Sequence, residues 1–481
     1  MCPFGGIQTL DLSTIPDQRG SIAPTMPLSE AWLGRTALQQ AAALRAGEIS
    51  ALELTEAYLA RIAERNPALQ AFVTVTDWRA RRAARLADKA LSWARTRGEA
   101  DTLPVFLGLP TAIKDIDMVA GVAMKAGSRQ TRYVIAPVDG DAARHVRRAG
   151  ALILGKTSTS ELAILPMVET DIHPPGRNPW NPDFTAGGSS GGAAAAVAAG
   201  LLPIAHASDG AGSIRIPASF CGLVGLKPSR GIIPNFYGSA DKVGLSYTAS
   251  VSHDVADTAA FVDILCGNYY PQQREGSMLQ RSQQAPRPQR IRVALHSSLA
   301  RTDPEIAAAV ERAAARLAAM GHSVDYAPVI DMGAVEDFIP IMARSVANVP
   351  LPGYRYVQPL TAWMHRRGKQ YTQQQATERH RELKQKVFDW MAGTDIVLTP
   401  TVAVAPPRIG ALHRDDPEAM FYAAAELGAF TAPFNVSGHP AVSVPMGRDS
   451  RGLPMGLQII GPLDDDALVL QVAHQLEPFA P

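Results

Sequence analysis

The chain has 481 residues, 46% hydrophobic and 19% charged, an ordinary globular composition with ample apolar material for a core. The formal net charge is +1, and no block of five or six like charges occurs, so neither nucleic acid nor an acidic membrane surface is indicated as a partner. Three scattered cysteines, Cys2, Cys221 and Cys266, exclude a disulfide framework or a cysteine-based zinc site, and no apolar run approaches the length of a membrane span.

Residues 1–28 are rich in Pro, Gly and Ser and lack periodicity, which reads as an extended arm. They show no basic segment leading into an apolar one, so no signal peptide is expected and the reading is cytoplasmic. From residue 28 the pattern turns helical. Apolar residues recur at helical spacing over 28–50 and 50–67, Gly47 is placed to stop the first helix, and Ser50 with Glu53 forms a capping box for the second. A third helix is predicted over 76–98.

Strand and helix then alternate. Strands are predicted at 105–113 and 151–157 around a helix at 140–150. Further on come a strand at 290–296, a long helix at 303–321 and a strand at 323–329. A helix at 373–393 and a strand at 395–401 follow. This alternation argues for an α/β architecture with a largely buried sheet. The Pro- and Gln-rich stretch 268–290 reads as a surface crossing between halves of one fold.

Chemistry concentrates in three places. The first is TAGGSSGGAAAA, residues 185–196, which continues into an Ala-rich helix and an apolar run rather than into polar linker sequence. A Gly/Ser loop opening a buried helix presents free N–H groups suited to negative charge. GSSGG within it matches the G-x-S-x-G elbow and nominates Ser190 as a nucleophile. That motif needs a strand leading into the turn, whereas RNPWNPDF before it reads as loop. None of the later histidines His413, His439 and His474 has a distinctive setting, and His439 reads as structural.

The second is DGAGSIRIP, residues 209–217, where small residues allow consecutive N–H groups to curl around an oxyanion ahead of Ser213. Asp209 and Arg215 are expected to pair and brace this loop. His206 is expected to pack beneath it, and Cys221 to be a buried small hydrophobe. The third is LGLPTAIKDID, where Lys114 follows an apolar run, and burial there would lower its pKa as a base requires. Only nine of the 46 basic residues are lysines, which makes a lysine in such a setting informative.

Together these pieces resemble the amidase signature family. The serine-rich core G-G-S-S-G-G, the Ala-rich stretch and a D-x-x-x-S-I-R-x-P segment occupy 187–217, with a G-x-P-x-x-x-K-D lead-in at 108–115. The similarity extends from about residue 36 to FNVSGHPAVSVPMGRDSRGLPMGLQIIG near the C-terminus. It implies a single α/β/α domain around a large mixed sheet. It further implies Ser213 as nucleophile, Ser189 as a bridging serine after a cis peptide bond, and Lys114 as base. The N–H groups of Gly210, Ala211, Gly212 and Ser213 would form the oxyanion hole.

The implied reaction is cleavage of a small-molecule carboxamide, or an ester or anilide, through an acyl-enzyme without metal or organic cofactor. The reading leaves a homodimer open. Ser190 becomes a supporting hydroxyl. Two departures stand out: Gly210 and Ala211 replace a common threonine and glycine, so Ala211 would be strained if its φ were positive. Ile116 and Asp117 also differ after the lysine motif. The pocket is expected from segments 125–185 and 330–430, with Tyr354, Tyr356, Trp363 and several methionines favouring a bulky apolar or aromatic acyl group. Three alternatives stay open. They are a glutamyl-tRNA amidotransferase-type subunit, disfavoured by Ile216 where glutamine is expected, an α/β-hydrolase using Ser190, and a non-catalytic binding relative. Acyl transfer to another amine is a variant of the same chemistry.

Overall fold

The computed structural model describes residues 30–234, 241–273, 275–327, 329, 333–351 and 353–477, so the proposed arm at 1–28 lies outside them. The first helical stretch is divided in two, Glu30–Leu33 and Ala37–Ala46. Thr36 restarts it, accepting from the N–H of Gln39 while the Gln39 side chain accepts from Thr36 in return. Gly47 ends it at φ +80, as its sequence position suggested. Ser50 caps Ala51–Leu69 with the expected box, Glu53 Oε2 accepting from the Ser50 N–H at 2.9 Å. The third helix, Asp77–Thr96, follows.

Three strands, β1 (Phe72–Val75), β2 (Pro110–Lys114) and β3 (Leu152–Thr157), form a small sheet in the order β1-β3-β2. β2 is shorter than the predicted 105–113. Upstream of it the N–H of Val105 bonds Tyr269 O and that of Phe106 bonds Ala149 O, so this apolar run is a buried turn held by neighbouring loops. A ribbon of β4 (Arg177–Asn178) and β5 (Asn181–Thr185) leads toward the serine-rich loop. The expectation of plain loop there is corrected: Pro182 sits in a two-stranded ribbon outside the main sheet, where a missing ladder donor is tolerated.

The larger sheet has eight strands: β6 (Ile204–Asp209), β7 (Val224–Lys227), β8 (Tyr247–Ser252), β9 (Arg290–Val293), β10 (Ser323–Tyr326), β11 (Ile396–Pro400), β12 (Ala441–Arg448) and β13 (Pro454–Ile460). Their order is β10-β9-β11-β13-β12-β7-β8-β6. The β9 pairings with β10 and β11 are parallel and the remaining pairings antiparallel, making the sheet mixed. At the β6 edge, Thr111 Oγ1 donates to Ile204 O at 2.9 Å and the Lys114 N–H donates to His206 Nδ1 at 3.3 Å, which seats β2 beside β6. The architecture is α/β around a large mixed sheet, as the alternation of elements implied.

The Ala-rich helix Gly191–Ala198 is apolar all round and buried along nearly its whole length. Its small side chains are a packing requirement: a Cβ on Gly192 would lie 2.4 Å from the Ser158 backbone nitrogen. Within 268–290 the structure adds a short helix, Met278–Ser282, whose Met278 and Leu279 are buried. The Asp263 carboxylate receives the N–H groups of both residues, anchoring what the sequence suggested was only a crossing. Among the described residues, no helix is long and apolar enough to cross a membrane.

Candidate active site

All five residues of β2 are buried, so the strand delivers the Lys114 side chain into the interior at its C-terminal end. Nζ lies 2.7 Å from Ser189 Oγ, 3.0 Å from Ser208 Oγ and 3.3 Å from Ser208 O. No carboxylate is among these partners. Burial disfavours the charged form and brings the amine down to about 7, a shift the Asp209 charge only partly opposes. Beneath the strand, His206 is fully buried and its Nε2 meets Thr248 Oγ1 at 2.8 Å. Burial, with Lys114 and Lys156 nearby, lowers its imidazole to about 3 and keeps it neutral, which fits the packing role expected of it.

The serine-rich loop crosses over Lys114 with a cis peptide bond between Gly188 and Ser189. Gly187 sits at φ +82, where an added Cβ would come within 2.9 Å of Pro217 Cα. Ser190 turns away from the lysine. Its Oγ donates to Ser208 O at 3.0 Å and receives the Ser208 N–H at 3.3 Å, while its own N–H donates to Ser213 O at 3.2 Å. Ser190 therefore ties the two serine loops together, and among the described residues no histidine is bonded to it.

The turn after β6 brings in Ser213, 9% exposed, on the approach to the helix Arg215–Cys221. Asp209 and Arg215 form the expected pair, at 2.9 and 3.0 Å, and the guanidinium also reaches Gln458 Oε1, Asn435 Oδ1 and Thr431 O. Burial alone would raise the Asp209 carboxyl. The Arg215 charge and hydrogen bonds from Arg215, Asn435 and Gly212 outweigh it and hold the group well below the usual carboxylate range.

This brace changes the count of free donors. The Gly212 N–H is spent on Asp209 Oδ1 at 2.6 Å, so it is not available as an oxyanion donor, contrary to expectation. Among the described residues, the N–H groups of Gly210, Ala211 and Ser213 meet no acceptor. The predicted need for glycine is met one position later than supposed: Ala211 has no positive φ, whereas Gly212 lies at φ +123. A Cβ on Gly212 would stand 2.2 Å from Thr431 Oγ1, the hydroxyl that donates to Ala211 O at 2.7 Å.

A cavity of about 300 Å³ is lined by Ser189, Ser208, Gly210, Ala211 and Ser213, with Ile116 from the lysine-bearing segment, and Lys114 itself lies behind Ser189. Thr131 and the 162–164 segment supply another side, and the helix Val335–Ala347 a third. A second, apolar cavity of about 90 Å³ adjoins Ala211 and Ser213 and is lined by Phe338, Leu383 and Phe421 among others. The aromatic stripe named from sequence is not part of either wall. Tyr354 bonds Val346 O and Val349 O and stacks on His365, Trp363 packs against Phe421, and Tyr356 is exposed. The helix containing Met342 serves the wall instead.

Sequence reasoning did not single out Lys156, Thr431 or Asn435. Lys156, on β3, is buried and pairs with Asp115 at 3.1 Å while donating to Asp117 O at 2.6 Å. Its one visible mark was being a lysine in the apolar run ALILGKT. Thr431 and Asn435 lie more than 200 residues from the loop they hold and left no local mark. The histidines His439, His413 and His474 stand outside the site; His439 is buried against Phe388 with Nδ1 on Ser437 Oγ. Cys221 is fully buried, which pushes its thiol up and leaves it inert.

The model of the Amidase family matches residues 53–350 and 354–470. The 6-aminohexanoate-cyclic-dimer hydrolase of Pseudomonas sp. (strain NK87) is 35% identical over 94% of this chain and 96% of its own. A glutamyl-tRNA(Gln) amidotransferase subunit of Synechococcus sp. (strain WH7803) is also 35% identical, over 90% and 95%. The solved structure of 6-aminohexanoate cyclic dimer hydrolase complexed with substrate superposes with a TM-score of 0.83 at 33% identity, covering 93% of this chain and 98% of the other. A bacterial aryl acylamidase superposes at 0.79 with 26% identity, over 94% and 96%. With the family model spanning most of its length, both serine loops lining one cavity and the buried lysine bonded to Ser189 behind it, the chain belongs to the amidase signature family of hydrolases.

Proposed function

We propose that the protein hydrolyses a carboxamide through an acyl-enzyme on Ser213, with Ser189 relaying protons to and from Lys114. The observation that carries this reading is the 2.7 Å contact of Lys114 Nζ with Ser189 Oγ, made by a lysine whose other contacts are a hydroxyl and a carbonyl. An amine held near neutrality by burial can accept a proton through Ser189 as Ser213 Oγ attacks the carbonyl carbon. The same proton returns to the nitrogen as the C–N bond breaks, and water then releases the acid. The unpaired N–H groups of Gly210, Ala211 and Ser213 are the donors for the tetrahedral oxyanion. Loss of one such donor ordinarily costs about 10²–10³ in rate.

The smaller cavity is lined by apolar side chains apart from Ser213, and the larger sets Asp241 and several hydroxyls among apolar ones, which supports a largely apolar amide as substrate. A small doubly polar diamide such as malonamide would be turned over poorly. Transfer of the acyl group to a second amine uses the same intermediate. The test is fluorophosphonate labelling with peptide mapping on wild type and Lys114→Ala. A single adduct on Ser213, strongly reduced in the lysine variant, is expected. An adduct on Ser190 that ignores Lys114 would overturn the assignment.

A further inference from the structure

The two cavities are not equivalent with respect to the scissile bond. Ile164, Ala211, Ser213 and Met342 line both, so the cavities meet at the serine on which the acyl group would rest. Ser189, Ser208 and Gly210 line only the larger one. A departing nitrogen must be protonated as it leaves, and under the mechanism above the proton arrives through Ser189. The amine side of the substrate therefore faces the larger cavity, and the acyl side faces the smaller.

The two compartments differ in size and in chemistry. The acyl-side cavity, about 90 Å³, has no charged side chain among its described lining residues. It is smaller than the roughly 150 Å³ that admits a benzene ring in a protein interior. The amine-side cavity, about 300 Å³, exceeds that figure and carries the Asp241 carboxylate and the hydroxyls of Thr131, Ser246 and Ser345. Asp241 is held by the N–H groups of Gly244 and Ser246, and the other carboxylate there, Asp209, is neutralised by Arg215. A second anion brought beside Asp241 would be repelled in a poorly solvated site.

From this the geometry points to a secondary amide as substrate: a short, uncharged apolar acyl group joined to a larger nitrogen substituent that is neutral or cationic. This deepens the reading of Ser213 as nucleophile and rests on it. It moves the bulk of the substrate from the acyl side to the amine side. It also speaks against glutamine as amide donor, because no described residue lining the acyl-side cavity is a charged partner for its α-amino and carboxylate groups.

The test is a matrix of amides assayed with wild type, Phe338→Ala and Val349→Trp. Phe338 lines only the acyl-side cavity and Val349 only the amine-side one. Benzylamine and ammonia differ little in basicity, so N-benzylbutyramide against butyramide reads binding rather than leaving ability. Wild type is expected to favour the N-benzyl compound by about tenfold or more in kcat/KM, and to prefer butyryl over decanoyl by a similar factor. An N-carboxymethyl amide is expected to be poor. Phe338→Ala should shift the acyl optimum to longer chains without altering the nitrogen preference, and Val349→Trp should erase the benzyl advantage alone. Preference for butyramide, or for decanoyl chains in wild type, overturns the assignment of sides while a fluorophosphonate adduct on Ser213 still stands. Failure of Ser213 to label, with Ser213→Ala as active as wild type, removes the nucleophile and the sides together.

Discussion

Two lysines on neighbouring strands of the small sheet meet opposite fates. Lys114 ends β2 and Lys156 lies on β3, where it pairs in register with Ile113, and both are fully buried. Lys156 has a carboxylate, Asp115, at 3.1 Å and the Asp117 carbonyl beside it. Lys114 has two serine hydroxyls and a carbonyl. A buried ammonium with a carboxylate partner is a structural ion, whereas one surrounded by neutral oxygens is under pressure to lose its proton. The difference between a strut and a base lies in one neighbouring side chain rather than in the lysine, the strand or the depth of burial.

That contrast can be broken from either side. The largest effect is expected from Lys114→Met, which preserves the length and packing of the side chain but removes the amine. Amidase activity should fall by about 10²–10⁴-fold, the usual worth of a positioned acid–base group, with the thermal midpoint little lowered. Lys156→Met should do the reverse. It strands Asp115 in the interior, costing about 3–5 kcal/mol of stability in chemical denaturation, while kcat/KM per folded molecule stays within a few-fold. Equal losses of activity and stability in both variants would erase the distinction. The gentlest probe is pH. Lys114 must be neutral to accept a proton, so kcat/KM should rise with pH and level off above about 7, falling tenfold per unit below it. A pH profile flat through this range would show that another group is the base.

Much of this site was legible because its parts are local. The capping box at Ser50, the stop at Gly47 and the all-apolar helix after the serine loop are short-range consequences of residue type and spacing. Asp209 and Arg215 are six residues apart and pair as expected. Misreadings arose where distant chain intervened. The apolar run at 105–109 resembled a strand, but its N–H groups found partners on Tyr269 and Ala149. Gly212 counted as an oxyanion donor until Asp209 claimed its N–H, and Ala211 proved unstrained because Thr431 and the Asp209 brace place the positive φ at the glycine. The Tyr354 and Trp363 stripe resembled a pocket wall, yet Tyr354 is taken up by Val346 O, Val349 O and His365, and Trp363 by Phe421 on a neighbouring helix.

The α/β alternation, the family, the two serine loops and the lysine-bearing strand before them follow from residue order alone, because glycine, proline, capping residues and apolar periodicity act over a few residues. Folding was needed to establish which buried lysine meets Ser189, which loop N–H groups remain free among the described residues, and how the space beside Ser213 is divided. Those properties depend on solvent exclusion and on charges brought together from hundreds of residues apart, and no local pattern encodes them.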